Sequence, residues 1–456
     1  MAQHGLLDSD TDPKALTLQA RLIKDRAKRA DAGGERARLF DQSAQLYARA
    51  ATLDRSSYPL INAASLSLFA GKPVQAERFA LDALDLIEAD PDEGETPYWR
   101  EATRAEALLL LDREAEARAA LRKAMARQPH AWEDHAATIG QFALILAEKG
   151  GDTGWLDAHR PPPSVHFSGI AGLAADTTDV EQALARYIAS ERPGFAYGAL
   201  AAGADLLFVE AFIDWRDAEC PAAELHVVLP YPVDQFRDVS VAAFGDHWLP
   251  RFDAALAQAS STTVYGLDDP SLPVAVEYAD RVAMGRALRN AAVLASRACA
   301  VTVVGHGEGL RLQLASWRDA ARPLTIIEGT RAAGASPRSA PAPTRHSLQA
   351  VVWAGDGDWS AHDDLLAAGA AARGLASAKD GAQVALLLAP CDPGHPPAAL
   401  LQRAAALAAV AVPAAVVTDE ATAMALVCAG WSGTVEELGE LPLPSGREPI
   451  WSVLSA

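Results

Sequence analysis

Few residues in this sequence are spaced to do chemistry, and most of them fall at the ends of strand-like runs. Phe167-Ser168-Gly169 closes one such run with a small-residue turn where a backbone could approach a ligand. Further on, Gly198-Ala199-Leu200-Ala201-Ala202-Gly203-Ala204-Asp205 leads into a helix-like segment at 206–215. Gly203 removes the Cβ barrier where that helix begins, and Asp205 and Glu210 set carboxylates in its first turns, suited to general acid/base work. The competing reading is structural: Gly203 permits close helix–strand packing and Asp205 complements the helix dipole. Gly305-His306-Gly307-Glu308-Gly309 resembles a phosphate-cradling turn, but its third glycine comes two residues after the second, so it is not GxGxxG. A flexible loop with His306 exposed is the preferred reading there. Neither a Walker A lysine, an HExxH helix nor a GxSxG elbow occurs. Cys220, Cys299, Cys391 and Cys428 lie too far apart for a CxxC zinc site or a disulfide framework.

The elements around these residues change character twice. Residues 14–149 read as helix throughout, with apolar residues at three and four spacings such as Ala76, Phe79, Ala80, Ala83, Leu84 and Ile87. Residues 70–80 match residues 111–121, Ala76 corresponding to Ala117, and in each a turn precedes a helix with small residues on one face. That pattern resembles tetratricopeptide (TPR) repeats, with an offset of 41 residues instead of about 34. The acidic loop Asp90-Pro91-Asp92-Glu93-Gly94-Glu95 accounts for the excess, and a plain helical bundle is the alternative. Pro161-Pro162-Pro163 cannot continue a helix and marks a domain boundary.

From 164 to 330, short apolar runs at 165–167, 225–229, 262–265, 300–304 and 324–327 alternate with helix-like segments at 179–191, 204–216, 245–260, 274–297 and 309–320. Buried strands separated by amphipathic helices predict a parallel sheet wound on both faces, whose ligands collect at the strands' carboxyl ends. An Ala/Pro/Ser stretch at 331–344 reads as a linker. Beyond it, strands at 348–353, 383–388, 415–418 and 449–454 and helices at 361–376, 396–409 and 419–429 form a third, smaller unit. The fold class expected is therefore multidomain: all-α repeats at 14–159, a doubly wound α/β sheet at 164–330, and a small α/β unit at 345–456.

Acidic residues outnumber basic ones 59 to 40 over 456 residues, which argues against general binding to nucleic-acid phosphates or anionic membranes. No basic-then-apolar leader opens the sequence and no run of about 20 apolar residues is present, so a cytoplasmic protein is expected.

Residues 201–210 followed by Ala223-Glu224-Leu225-His226-Val227-Val228-Leu229-Pro230 resemble a bacterial family that joins TPR-type repeats (a TRAFs-binding region) to a Rossmann-like domain of the SLOG type, often followed by an adenylate/guanylate cyclase domain. The likeness runs on through Asp234-Gln235-Phe236, Ser240-Val241, Trp248, Arg251-Phe252 and residues 278–285, and back into 58–64 and 98–103. It implies a pocket for a nucleotide-derived ligand near Ser168, Gly169, Gly203, Ala204, Asp205 and Glu210, with Asp234, Ser240, Arg281 and Gly285 completing the candidate ligand-binding set. The Pro-Gly-Gly-x-Gly-Thr-x-x-Glu string of the phosphoribohydrolase relatives is missing, which argues against that hydrolysis.

Residues 345–359 resemble the opening strand and metal-binding turn of class III nucleotide cyclases, 400–407 their later helix, and 437–443 with 450–454 their closing hairpin. The departures are chemical. Gly355 stands where the first metal-binding Asp belongs, and Asp356 and Asp358 are out of register with it. The segment for the second metal Asp is deleted, and Gln402 and Ala406 replace the transition-state Asn and Arg. Asp356, Asp358, Asp363 and Asp364 then read as a solvated loop and helix start. The resemblance implies a non-catalytic signalling scaffold: a protein partner on the TPR-like helices, a nucleotide-derived ligand in the middle, no assigned metal or catalytic residue, and a pseudo-cyclase tail able to self-associate. The alternatives are a nucleotide or N-glycosidic hydrolase using Asp205 or Glu210, and a residual cyclase.

Overall fold

The computed structural model describes residues 11–90, 92–94, 96–265, 273–332, 347–355, 357–378, 382–411, 415–443 and 446–454. Pro91, Glu95, Asp356, the bulk of the 331–344 linker and the first ten residues lie outside the described residues. The chain divides into two compact units between Pro161 and Pro162, inside the triple-proline run.

The first unit is made of helices α1 (Pro13–Arg29), α2 (Gly34–Asp54), α3 (Ser57–Phe69), α4 (Pro73–Ala89), α5 (Pro97–Leu110), α6 (Glu114–Arg127) and α7 (Trp132–Lys149). Their starts follow local chemistry. Asp12 accepts from the Lys14 amide ahead of α1 and Thr96 from the Trp99 amide ahead of α5, each with proline in the first turn. The repeat seen in sequence recurs in backbone detail. Between α3 and α4 the amides of Gly71 and Lys72 donate to the carbonyls of Leu68 and Ser67. Between α5 and α6 those of Asp112 and Arg113 donate to Leu109 and Leu108. Gly71 and Asp112 both take the left-handed conformation that this turn requires, at φ 74° and 61°.

Ala76 and Ala117 are buried at the helix crossings that follow. Ala117→Leu is therefore expected to cost roughly 1–3 kcal/mol by overpacking α5 against α6, read as a lower urea midpoint. Helices α3, α5 and α7 touch one another, and Glu106 on α5 ties them together. It accepts from Ser65 Oγ at 2.5 Å and from Gln141 Nε2 at 2.9 Å, while burial pushes its pKa up.

The second unit begins with a six-stranded, all-parallel sheet: β1 (Ser164–Gly169), β2 (Phe195–Gly198), β3 (Glu224–Leu229), β4 (Ser261–Val264), β5 (Ala298–Gly305) and β6 (Leu324–Gly329). Its order is β4-β3-β2-β1-β5-β6. The chain builds outward from β1 to β4, then returns to add β5 and β6 on the other side, so the winding reverses between β1 and β5. Helices α8 (Thr178–Glu191), α9 (Ala204–Glu219), a short α10 (Val233–Phe236) and α11 (Leu249–Ala257) follow β1, β2 and β3. α12 (Pro273–Val293) packs across β1, β2, β3 and β5, with α13 (Leu312–Asp319) beside it.

A mixed sheet follows, with β7 (Ser347–Ala354), β8 (Trp359–His362), β9 (Val384–Cys391), β10 (Val416–Asp419), β11 (Val435–Leu443) and β12 (Gly446–Val453) in the order β11-β12-β10-β9-β7-β8. Only the β9–β10 pair is parallel among these. Helices α14 (Leu365–Ala378) and α16 (Glu420–Ala429) share one core with this sheet, and α15 (Ala398–Ala408) packs on its other face.

This mixed sheet is not separate from the parallel one. Ala275 of α12 belongs to the parallel-sheet core, whereas Tyr278 and Val282 of the same helix belong to the core of the mixed sheet, with Met424 and Trp451. Gly285 lies flat against the Met424 backbone, and Arg286 pairs with Glu420 at 2.7 Å while donating to Thr263 Oγ1 at 2.8 Å. α12 is buried on two faces, and the chain from Pro162 onward forms one compact unit. Among the described residues, no helix is long and apolar enough to cross a membrane.

Candidate functional site

A cavity of about 230 Å³ opens at the carboxyl ends of the parallel strands. Ser168 and Gly169 reach it from β1, Ala199 and Ala201 from the loop after β2, and Arg311 from the loop after β5. Asp280 and Ala283 of α12 form one wall, and Phe236, Val239 and Phe244 an apolar one. The position is the one that the sheet's reversal creates.

Two glycines let α9 start here. Gly203 has φ +96°, and a Cβ on it would stand 2.8 Å from the Ile170 carbonyl oxygen. A Cβ on Gly169 would fall 2.3 Å from the Ala204 Cβ. With both absent, the Ala204 amide reaches Ile170 O at 3.2 Å, and Asp205 is held in the first turn, 6% exposed. Its Oδ2 accepts from the Ala201 amide at 3.2 Å, and its Oδ1 completes no hydrogen bond. Burial pushes the Asp205 pKa up to about 7, against the opposing pull of Arg311 and the Ala201 amide.

Two residues that the sequence reading did not place in the site, Asp280 and Arg311, line the cavity with Asp205, and a third, His166, approaches Asp280 without lining it. Arg311 donates to Asp280 Oδ2 at 3.2 Å and to the Gly169 carbonyl at 3.1 Å. His166, fully buried on β1, has Nε2 3.7 Å from Asp280 Oδ1, and burial lowers its pKa, so it stays neutral near pH 7. The one available signal was that Asp280 lay within the family-like string; nothing local marked His166 or Arg311.

Of the ten candidate ligand-binding residues, Ser168, Gly169, Asp205 and Ser240 line the cavity. Gly203 and Ala204 do not line it; they set the start of α9 through the backbone contacts just described. The remaining four point elsewhere. Glu210 makes a bidentate pair with Arg251, whose guanidinium lies 4.3 Å over the Trp248 ring. Asp234 is exposed, and Arg281 pairs with Glu277 at 2.7 Å along α12. Gly285 is consumed by the contact with Met424. In the 305–309 turn, Glu308 folds back to pair with Arg331, and His306 is exposed 3.1 Å from Glu328.

The acids of the mixed sheet serve local structure. Asp363 accepts from Gln349, Asp364 caps α14 through the Ala367 amide at 2.9 Å, and Asp358 is exposed. Among the described residues, no three His, Cys, Asp or Glu side chains gather as a metal centre would require.

In the helical unit a larger groove of about 630 Å³ is lined by Lys24, Lys28 and Arg36 around Phe40, Leu66 and Phe69. A family model described as Tetratricopeptide Repeats-Sensor (TPR-S) matches residues 2–67, which include α1 and α2 and nearly all of α3. The helical region therefore carries TPR-type repeats, a class that generally mediates protein–protein interaction, and a repeat-based sensor or scaffold role goes with it. No curated protein matches the chain.

Proposed function

We propose that this chain is a non-catalytic cytoplasmic signalling scaffold that reports on a nucleotide-derived ligand. Its TPR-type helices take a protein partner. The basic, apolar-floored groove of Lys24, Lys28, Arg36, Phe40 and Phe69 suits a partner segment that carries both acidic and apolar side chains. The SLOG-like parallel sheet supplies the ligand cleft, and the mixed sheet acts as a pseudo-cyclase tail open to self-association. One observation carries the ligand reading: a buried carboxyl oxygen of Asp205, unpartnered, beside a cavity at the strand ends.

A second reading keeps the same cleft but makes it a hydrolase for a nucleotide or its N-glycosidic bond. What favours it is the Asp205 pKa of about 7, which suits a general acid near neutral pH. Glu210 has no part in it, being saturated by Arg251 outside the cavity.

The test is to incubate the full-length protein with a panel of nucleosides, nucleotides and NAD, following turnover and thermal shift separately. A thermal shift without turnover is expected. Turnover that disappears in Asp205→Asn would replace the scaffold reading with the hydrolase. If neither signal appears for any compound, a pure protein-interaction scaffold remains.

A further inference from the structure

We infer that the cleft seats the unphosphorylated part of its ligand, a nucleoside, with no phosphate group inside the cavity. This rests on the nucleotide-derived reading proposed above and narrows it.

The charges lead to this inference. Among the described residues that line the cavity, Arg311 is the one basic side chain, and it is already bound to Asp280 and to the Gly169 carbonyl. Asp205 lines the same cavity. A phosphate placed here would meet the Asp280 carboxylate, the Asp205 carboxyl that ionises only at about 7, and a guanidinium already paired with Asp280, so no uncompensated positive charge awaits it.

The backbone leads to it too. Phosphate sites at helix amino termini work by turning free amides toward the anion. Around the start of α9 three of the amides are taken: Ala201 donates to Asp205, Ala202 to the Ser240 carbonyl and Ala204 to the Ile170 carbonyl. The glycine turn after β5 is likewise filled. The Glu308 carboxylate lies 2.4 Å from where a Gly305 Cβ would be, and Arg331 holds it there.

What the cavity offers instead is an acceptor and an apolar wall. Asp205 Oδ1 is buried without a donor, and Ser168 and Ser240 stand beside it. Sugar hydroxyls and base N–H groups supply such donors, in the way an acidic side chain reads ribose in dinucleotide folds. Phe236, Phe244 and Val239 present faces on which a base can pack. The volume, about 230 Å³, is below the roughly 300–1,000 Å³ of sites for drug-sized ligands, and so suits a single nucleoside.

The experiment is calorimetric titration of the full-length protein with adenosine, guanosine, cytidine and uridine, each paired with its 5′-monophosphate, and with inorganic phosphate. At least one nucleoside is expected to bind, its monophosphate to bind no more tightly, and inorganic phosphate not to compete. Asp205→Asn, nearly isosteric and checked by circular dichroism, is expected to weaken nucleoside binding by about tenfold or more, the loss typical of a hydrogen bond to a charged or buried group. A monophosphate that binds more tightly than its nucleoside would overturn this inference and leave the nucleotide-derived reading standing. Absence of binding by every nucleoside and nucleotide overturns both. Nucleoside affinity unchanged in Asp205→Asn overturns the placement of the ligand.

Discussion

Gly285→Ala is expected to destabilise the second unit by about 3 kcal/mol or more, although it adds one methyl group to a helix and improves helix propensity. The new Cβ would sit 1.9 Å from the Met424 carbonyl oxygen and 2.5 Å from its carbon. Backbone cannot swing aside as a side chain does. The gap between α12 and α16 has to widen, and the core of Tyr278, Val282, Met424 and Trp451 opens with it. Urea unfolding should show a lowered midpoint, and hydrogen exchange should show faster loss of protection in α16 than in β1. Gly374→Ala supplies the control: nothing lies within 4 Å of its Cβ position on α14, and a gain of about 0.5–1 kcal/mol is expected there. Equal, small effects at both positions would mean that the two sheets are not packed through this contact.

Asp205→Asn should remove a pH dependence that the unsubstituted protein shows. Unfolded, the Asp205 carboxyl ionises near its ordinary value of 3.8; folded, it holds its proton to about 7. Between those values the native state binds a proton that the unfolded chain has released, so stability falls as pH rises through the window. The contribution is fully present below about pH 4 and lost above about pH 7. At about 1.4 kcal/mol per unit, the difference is on the order of 4 kcal/mol as an upper bound. The variant and the parent should therefore unfold at similar urea concentrations at pH 4.5. By pH 8 the variant should be the more stable. Parallel pH profiles would show that this carboxyl is solvated in the native state.

Some of this architecture is readable along the chain and some is not, for physical reasons. The matched turns before Ala76 and Ala117 are local, so their repetition shows in the sequence and again in the paired hydrogen bonds around Gly71 and Asp112. β2 escapes because Phe195-Ala196-Tyr197-Gly198 has none of the β-branched residues that mark the equally short β4, Ser261-Thr262-Thr263-Val264. α12 looks like an ordinary helix, yet Val274, Ala275, Tyr278, Val282, Met284 and Ala287 surround it with apolar positions, the mark of a helix covered on more than one side. Asp205 is legible because a glycine and a helix start announce it. Glu210, five residues on, is turned about 140° around a helix of 3.6 residues per turn and so faces Arg251. His166, Asp280 and Arg311 come from three distant stretches that only the sheet order brings together.

The double burial of α12 also bears on how the molecule can be divided for experiments. The Ala/Pro/Ser stretch after residue 330 invites a cut, and a fragment ending there would keep every strand of the first, all-parallel sheet. It would also lay bare Tyr278, Val282 and the flat surface at Gly285, and strip Arg286 of Glu420 and Arg322 of the Cys428 carbonyl. Such a piece would be sticky and prone to self-association for reasons unrelated to any signalling role. The smallest portion of this half worth purifying runs from Pro162 to the final strand, and truncations that stop short of it would report on an artificial surface.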